Sequence, residues 1–405
     1  MPSQYGYPLF AGHPMTSRYA IVIIVIAELL GGSLWFSVNA VADTLHMTWG
    51  ITAVEIGHLT SAVQLGFIAG TLLLSLSGLA DRFSASRIFA TCAIVGACAN
   101  AAFAGMGGNL AGALVSRCMT GMALAGVYPI GMKLVVSWAP DKAGHTLGWL
   151  VGMLALGTGL PHFIRGIGVI PTWQDVIYIA SVLAMMAAAM VGWLGDGPHH
   201  AIKPRLQWGG ALQAFRIPEF RAAAFGYFGH MWELYAFWAL VPLLIAQRSG
   251  AANGHSMYLA AFGVFVSGGI GCIGGGILSR RWQSSKIAII ALAGSALLCL
   301  IYPWAQALPY PFVLSLLLAW GFFVVADSPQ FSALAAKACA ADRVGGALAL
   351  MNSIGFAITI VSIELGTALW QTVSVYVAWL LLPGPILGLI AMRRMWRGDG
   401  RDKRR

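Results

Sequence analysis

Residues Ile21-Val22-Ile23-Ile24-Val25-Ile26-Ala27 form an unbroken apolar run, inside a stretch from 19 to 41 that holds a single acid, Glu28. A membrane-crossing strand alternates apolar and polar side chains over about 10 residues. A helix needs roughly 20 predominantly apolar residues to cross a hydrocarbon layer about 30 Å thick. The run has the second pattern. The whole chain agrees with it: 59% of its 405 residues are hydrophobic and 9% charged, with a mean hydropathy of +0.77. Soluble domains are about 45–50% apolar and about 25% charged. A water-soluble globule of this length would need far more polar surface, which excludes a cytosolic enzyme, a nucleic-acid-binding module and a disordered chain.

Spanning stretches recur at about 19–41, 54–78, 88–107, 110–138, 144–168 and 173–194, then at about 222–246, 257–279, 287–306, 311–336, 345–369 and 371–391. The pattern predicts a helical bundle over 1–195, a polar linker over 196–221, a second bundle over 222–391 and a basic tail over 392–405. In the linker, Trp208, Leu212 and Phe215 offer an apolar face that can lie along a membrane surface. With both termini cytoplasmic, all of the 24 Lys and Arg except Arg117, Lys133, Arg165 and Arg248 fall in or beside cytoplasmic segments, as the positive-inside rule requires. The loops and tail therefore account for the net charge of +10 through anionic lipid rather than nucleic acid. The expectation is a multi-pass, monomeric protein of the inner (plasma) membrane. The first run is too long for the core of a cleavable signal and no cleavage site follows it. The six cysteines contain no Cys-x-x-Cys pair and read as small buried hydrophobes. No metal site or other cofactor is implied.

Two cytoplasmic segments repeat. Asp141-Lys142-Ala143-Gly144-His145-Thr146-Leu147 matches Asp342-Arg343-Val344-Gly345-Gly346-Ala347-Leu348, and Asp81-Arg82 with Arg87 matches Arg280-Arg281 with Lys286. Duplicated halves are the mark of a transporter whose site lies between them. Ser77-Gly78-Leu79-Ala80-Asp81-Arg82-Phe83-Ser84-Ala85-Ser86-Arg87 resembles the loop signature of the major facilitator superfamily, with Ser77 and Ser84 at positions usually Gly and the closing Arg pair reduced to Arg87. Arg117-Cys118-Met119-Thr120-Gly121, followed by Ala123, Ala125 and Gly126, resembles the family's second signature. The resemblance implies an all-α membrane protein of twelve transmembrane helices in two pseudo-symmetric six-helix bundles. It also implies that spans one, four, seven and ten line a central cavity while three, six, nine and twelve face lipid. By the same resemblance, Asp81, Arg82 and Arg87 form a cytoplasmic latch in which Asp81 meets the start of the eleventh helix. Such helix-dipole pairing is worth about 0.3–1 kcal/mol when exposed, weak enough to open in each cycle.

Charge inside a bilayer costs roughly 2.5–3.5 kcal/mol on insertion scales, so each buried ionisable group needs a reason. Glu28, Arg117, Lys133, His230, Glu233 and Asp327 all fall on the spans that the resemblance makes cavity-lining, and with Gln330 they are the candidates for a solute and proton pathway. His230 and Glu233 share one helix face at a spacing of three, beside Tyr235 and Trp238, and read either as a proton-passing pair or as a structural hydrogen-bonded one. Glu28 reads as a proton carrier or as a neutral packing acid, because burying the charged form costs more. Arg117 suits fork-like recognition of an anion; the family resemblance links it instead to proton coupling. Lys133, about 24 Å further along an ideal helix and rotated by about 160°, either snorkels to the interface or is returned to the pore by a twist at Pro129. Asp327-Ser328-Pro329-Gln330 places an acid and two hydrogen-bonding side chains at a helix break, the kind of discontinuity at which transporters bind ligands; the alternative is a simple kink. His162 and Arg165 read as an outer gate or an interface anchor, Glu364 as a partner for a neighbouring helix, and Asn39, Gln64 and Asn352 as further polar candidates.

The expected function is proton-coupled secondary transport of a small polar, anionic solute by alternating access. Gly274-Gly275-Gly276 lies inside a span with no Gly-Lys-Ser/Thr after it, which argues against an ATP-driven pump. Multidrug or cation efflux is the first rival, served by the acids Glu28, Glu233 and Asp327. A metal carrier using scattered Met and His, and a non-transporting membrane assembly factor, are the others.

Overall fold

A computed structural model describes residues 17–140, 143–169, 172–199, 212–249, 254–339 and 344–396. Among the described residues every regular element is a helix. The linker residues 200–211, the tail from 397, and the repeated pairs Asp141-Lys142 and Asp342-Arg343 lie outside them, as does the side chain of Asp81.

The first bundle contains α1 (Ser17–Gly32), α2 (Ala42–Trp49), α3 (Ala53–Leu76), α4 (Leu79–Arg82), α5 (Ala85–Phe103), α6 (Leu110–Leu124), α7 (Tyr128–Trp138), α8 (Ala143–Gly166) and α9 (Trp173–Leu194). The second contains α10 (Pro218–Ser249), α11 (Gly254–Leu278), α12 (Ser284–Ile301), α13 (Tyr310–Ala326), α14 (Ser328–Ala338), α15 (Val344–Val373), α16 (Val377–Leu381) and α17 (Pro383–Met392). Among the described residues, ten stretches have the length and apolarity to cross a membrane. α1 has 16 helical residues, fewer than a bilayer crossing needs, because the chain leaves the helix after Gly31-Gly32 and runs as turns from Ser33 to Val38. The first predicted span is therefore broken rather than continuous. The last boundary also moves: α15 runs through Trp370–Thr372 and the chain turns at Ser374–Tyr376.

Two acids near the ends of long helices are helix caps. Thr52 and Glu55 form a capping box at the start of α3, and Thr172 and Asp175 form another at the start of α9. Each satisfies backbone N–H groups that the first helical turn leaves unpaired.

Pseudo-symmetry is visible in the packing. A Cβ on Gly121 of α6 would fall on the carbonyl of Val63 in α3, and one on Gly321 of α13 would fall on the carbonyl of Val264 in α11. These are corresponding positions some 200 residues apart, where only glycine lets the backbones meet. Breaks recur in the same register: α7 begins at Tyr128-Pro129 and α14 at Ser328-Pro329, each with proline in its first turn, where its missing N–H has no helical partner to lose.

The bundles meet along two seams, α8 against α11 and α3 against α15. In the first, a Cβ on Gly148 would lie 3.4 Å from the Cα of Gly276, and one on Gly152 would lie 3.1 Å from the carbonyl of Gly269. The start of the linker is held to the first bundle. Asp196 accepts from the Ser86 N–H at 2.7 Å, and the His199 N–H donates to the Ser137 carbonyl at 3.1 Å.

Candidate functional site

A cavity lies between the bundles. The first bundle contributes Tyr128, Val151, Leu154 and Ala155; the second contributes Tyr227, Met231, Leu234, Tyr235, Trp238, Val325, Ser328, Ser332, Asn352 and Phe356. Both discontinuities reach it, since Tyr128 and Ser328 are the first residues of α7 and α14. The lining is aromatic and apolar with a few hydroxyls and one amide, and no Lys or Arg is among these residues.

Beyond it, towards the end remote from the linker, a set of tilted, edge-on and stacked rings closes the space. Trp35 lies 5.6 Å from Tyr235 and 5.8 Å from Phe356 between ring centroids, and Phe67 lies 4.3 Å from Phe356. Phe36 lies 6.1 Å from both Trp238 and Phe265. Ring pairs at such separations gain about 0.5–1.5 kcal/mol beyond their burial, so this plug is a substantial contact between the bundles.

Trp35 and Phe36 lie on the turn that ends α1, and Arg117 holds that turn. Its guanidinium donates to the carbonyls of Leu34 at 3.1 Å and Trp35 at 2.6 Å, to Asn100 Oδ1 at 2.8 Å and to Ser37 Oγ at 3.2 Å. Asn100 is itself fixed by donating to the Ile177 carbonyl and to Ser181. The expected fork for a solute anion is thus engaged with backbone that a broken helix leaves without intrahelical partners.

The pairing expected of His230 and Glu233 is not what the fold makes. His230 Nδ1 stands 2.8 Å from Asp327 Oδ1, at the break between α13 and α14, and both residues are 1% exposed. Glu233 turns into the second bundle, where it accepts from Trp320 Nε1 at 2.6 Å, Ser295 Oγ at 2.9 Å and Cys299 Sγ at 3.2 Å. Among the described residues three donors and no cation hold it, away from the cavity. Gln330 is buried one turn beyond Asp327.

Glu28 is fully buried, faces Gly131 of α7, and neither of its oxygens has a hydrogen-bond partner among the described residues. Lys133 donates to the carbonyl of Ala80 in α4, which places it at the linker end. Arg82 and Arg87 are exposed there. Asn39 donates to Thr60 at 2.9 Å. Gln64 and His162 are buried without hydrogen-bond partners among the described residues, and His162 stacks on Phe265 at 5.5 Å. Tyr235 and Trp238 belong to both the cavity and the ring plug. At the remote end, Arg165 contacts Thr44 at 2.5 Å and Asp43 at 3.9 Å, while Tyr258 donates to Asp43 across the bundle boundary. Glu364 pairs with His58 at 2.7 Å.

The sequence reading passed over Tyr128, Tyr227, Ser332, the Trp35–Phe67–Phe356 plug and the contact between Asp43 and Tyr258. Its only available signal was position 128 beside a proline in a cavity-lining span; aromatic residues in apolar runs otherwise look like core. Among the described residues no group of three or more His, Cys, Asp or Glu could hold a metal ion.

Two pseudo-symmetric membrane bundles around a cavity, with broken helices reaching it from both sides, define a membrane transporter. The sequence profile of the Major Facilitator Superfamily matches residues 21–363, and the chain belongs to that family. It is similar to the niacin transporter NiaP of Acinetobacter baylyi, with 29% identity over 153 residues, covering 35% of this chain and 34% of that one. It is also similar to the 4-hydroxybenzoate transporter PcaK of Pseudomonas putida, with 26% identity over 199 residues, covering 46% and 42%. Each match thus spans less than half the length of the relative. The solved structure of the proton:xylose symporter XylE matches 94% of this chain and 95% of that one with a TM-score of 0.75 and 11% identity, a likeness of fold.

Proposed function

We propose that this protein is a proton-coupled secondary transporter for a small aromatic or otherwise planar monocarboxylate, working by alternating access in the inner (plasma) membrane with both termini cytoplasmic. The moving units are the bundles 1–195 and 222–391, joined by the linker 196–221 and followed by the basic tail 392–405. The observation that carries the substrate class is the lining of the cavity, in which Tyr128, Tyr227, Tyr235, Trp238 and Phe356 offer ring faces and Ser328, Ser332 and Asn352 offer neutral donors. Planar solutes stack on such rings, and niacin and 4-hydroxybenzoate, for which the two relatives are named, fit that chemistry.

With no Lys or Arg among the residues of this lining, a carboxylate entering alone would be desolvated without a countercharge, which is costly. A proton travelling with it removes that penalty. The groups proposed to hold the proton are Glu28 in the first bundle and the His230–Asp327 pair behind the cavity wall in the second, with Gln330 beside the break. Lipid is the solvent of the outer faces and one copy suffices for the path.

The test is uptake of radiolabelled nicotinate or 4-hydroxybenzoate into proteoliposomes with an imposed pH gradient. Accumulation that collapses with a protonophore, and falls about tenfold or more in Tyr235→Ala, supports the reading. Extrusion of cationic dyes with no carboxylate uptake would favour the multidrug alternative instead.

A further inference from the structure

We infer that His58 and Glu364 form a proton-sensitive clasp that holds the two bundles together at the end remote from the linker. The inference rests on the alternating-access reading above but concerns groups outside the solute cavity. His58 Nδ1 lies 2.7 Å from Glu364 Oε2, joining α3 of the first bundle to α15 of the second. Both side chains lie at the protein surface, at 45% and 31% exposure, His58 five residues after the start of α3 at Ala53 and Glu364 nine before the end of α15 at Val373. The clasp sits beside a tight crossing, because Gly57 is packed directly against the side chain of Thr367. Rocking that separates α3 from α15 here must also separate the pair.

The surroundings leave His58 with Glu364 as its partner across the seam. Glu55, one turn away on α3, is engaged by the Thr52 N–H at 2.7 Å and the Thr52 hydroxyl at 3.0 Å. On the preceding α2, His46 contacts the carbonyl of Ile51 at 2.7 Å, and Asp43 is engaged by Tyr258. The outer part of α6, residues 110–116, carries no titratable side chain, and Glu364 is the one ionisable group of α15.

The other seam at this end is closed differently. Tyr258 of the second bundle donates to Asp43 of the first, with Arg165 stacked over the Tyr258 ring at 5.4 Å. Arginine keeps its charge at every working pH, whereas histidine changes charge between about pH 5 and pH 8. One seam therefore holds steadily and the other follows pH. A charged His58 attracts Glu364 and favours closure; loss of its proton removes the attraction and favours opening. With this end facing outward, acid outside shuts the protein behind a proton and solute that have entered.

The experiment measures the distance between spin labels at M47C and F312C, exposed sites of the two bundles at the remote end. The protein is in lipid nanodiscs without added solute, in a background lacking the accessible native cysteines. Distances are compared at about pH 5.5 and about pH 8, either side of the ordinary histidine range. The long-distance fraction of the unsubstituted protein is expected to rise about two- to fivefold at the higher pH, the factor that an exposed ion pair supplies. His58→Gln should abolish that dependence, and His58→Lys should keep the short distance at both pH values. A His58→Gln variant that opens with pH as before overturns the clasp alone. A single unchanging distance in every variant overturns both the clasp and the alternating-access reading.

Discussion

His230 of α10 and Asp327 at the start of α14 stand 2.8 Å apart, at the point where the α13–α14 helix pair breaks beside Pro329. Sequence spacing offered Glu233 as the partner of His230, since the two share a helix face. The fold offers Asp327 because the break delivers its carboxyl to α10, while three donors from α12 and α13 occupy Glu233. The break thus creates the one buried pair of acid and imidazole in the second bundle among the described residues.

Proton coupling should follow this pairing. Asp327→Asn is expected to lower uptake driven by a pH gradient about tenfold or more while leaving solute exchange at equal pH on both sides measurable. Parallel loss of both activities would show that Asp327 is needed for solute binding itself.

Glu233 should behave in the opposite way. In Glu233→Gln an amide oxygen can still accept from Trp320 Nε1, so transport is expected to stay within about twofold of the unsubstituted rate. Glu233→Ala leaves a buried indole N–H without its acceptor, a penalty of about 1–3 kcal/mol, and should lower the melting temperature in detergent.

Arg117 predicts a loss of stability. Arg117→Ala strips the Trp35 carbonyl of its donor and leaves the Leu34 carbonyl with Ser37 Oγ alone, at about 1–3 kcal/mol for the buried group left unpaired. Arg117→Lys should recover part of this, since an ammonium lacks the planar fork. Thermal unfolding measures both, and quenching of Trp35 fluorescence reports whether the plug has shifted.

Glycine contacts give a matched pair. Gly121→Ala drives a methyl onto the carbonyl of Val63, whereas Gly274→Ala meets nothing within 4 Å. The first is expected to cost about 1–3 kcal/mol through overpacking; the second should be neutral or stabilising by about 0.5–1 kcal/mol, the ordinary preference of a helix interior for alanine. Expression level and melting temperature of the two variants provide the comparison.

What the chain determines alone is its solvent and its secondary structure. Runs such as Ile21–Ala27 can satisfy their backbone polar groups in lipid only as helices. The repeat of Asp81-Arg82 and Arg280-Arg281 was likewise legible, because duplicated segments keep their local motif. Partner choice was not. Whether Arg117 meets a solute or a broken helix, whether His230 meets Glu233 or Asp327, and whether His58 meets Glu364 across 306 positions of chain depend on how helices rotate and cross. Spacing along one helix reveals which residues share its face, and only packing against neighbours decides what that face sees.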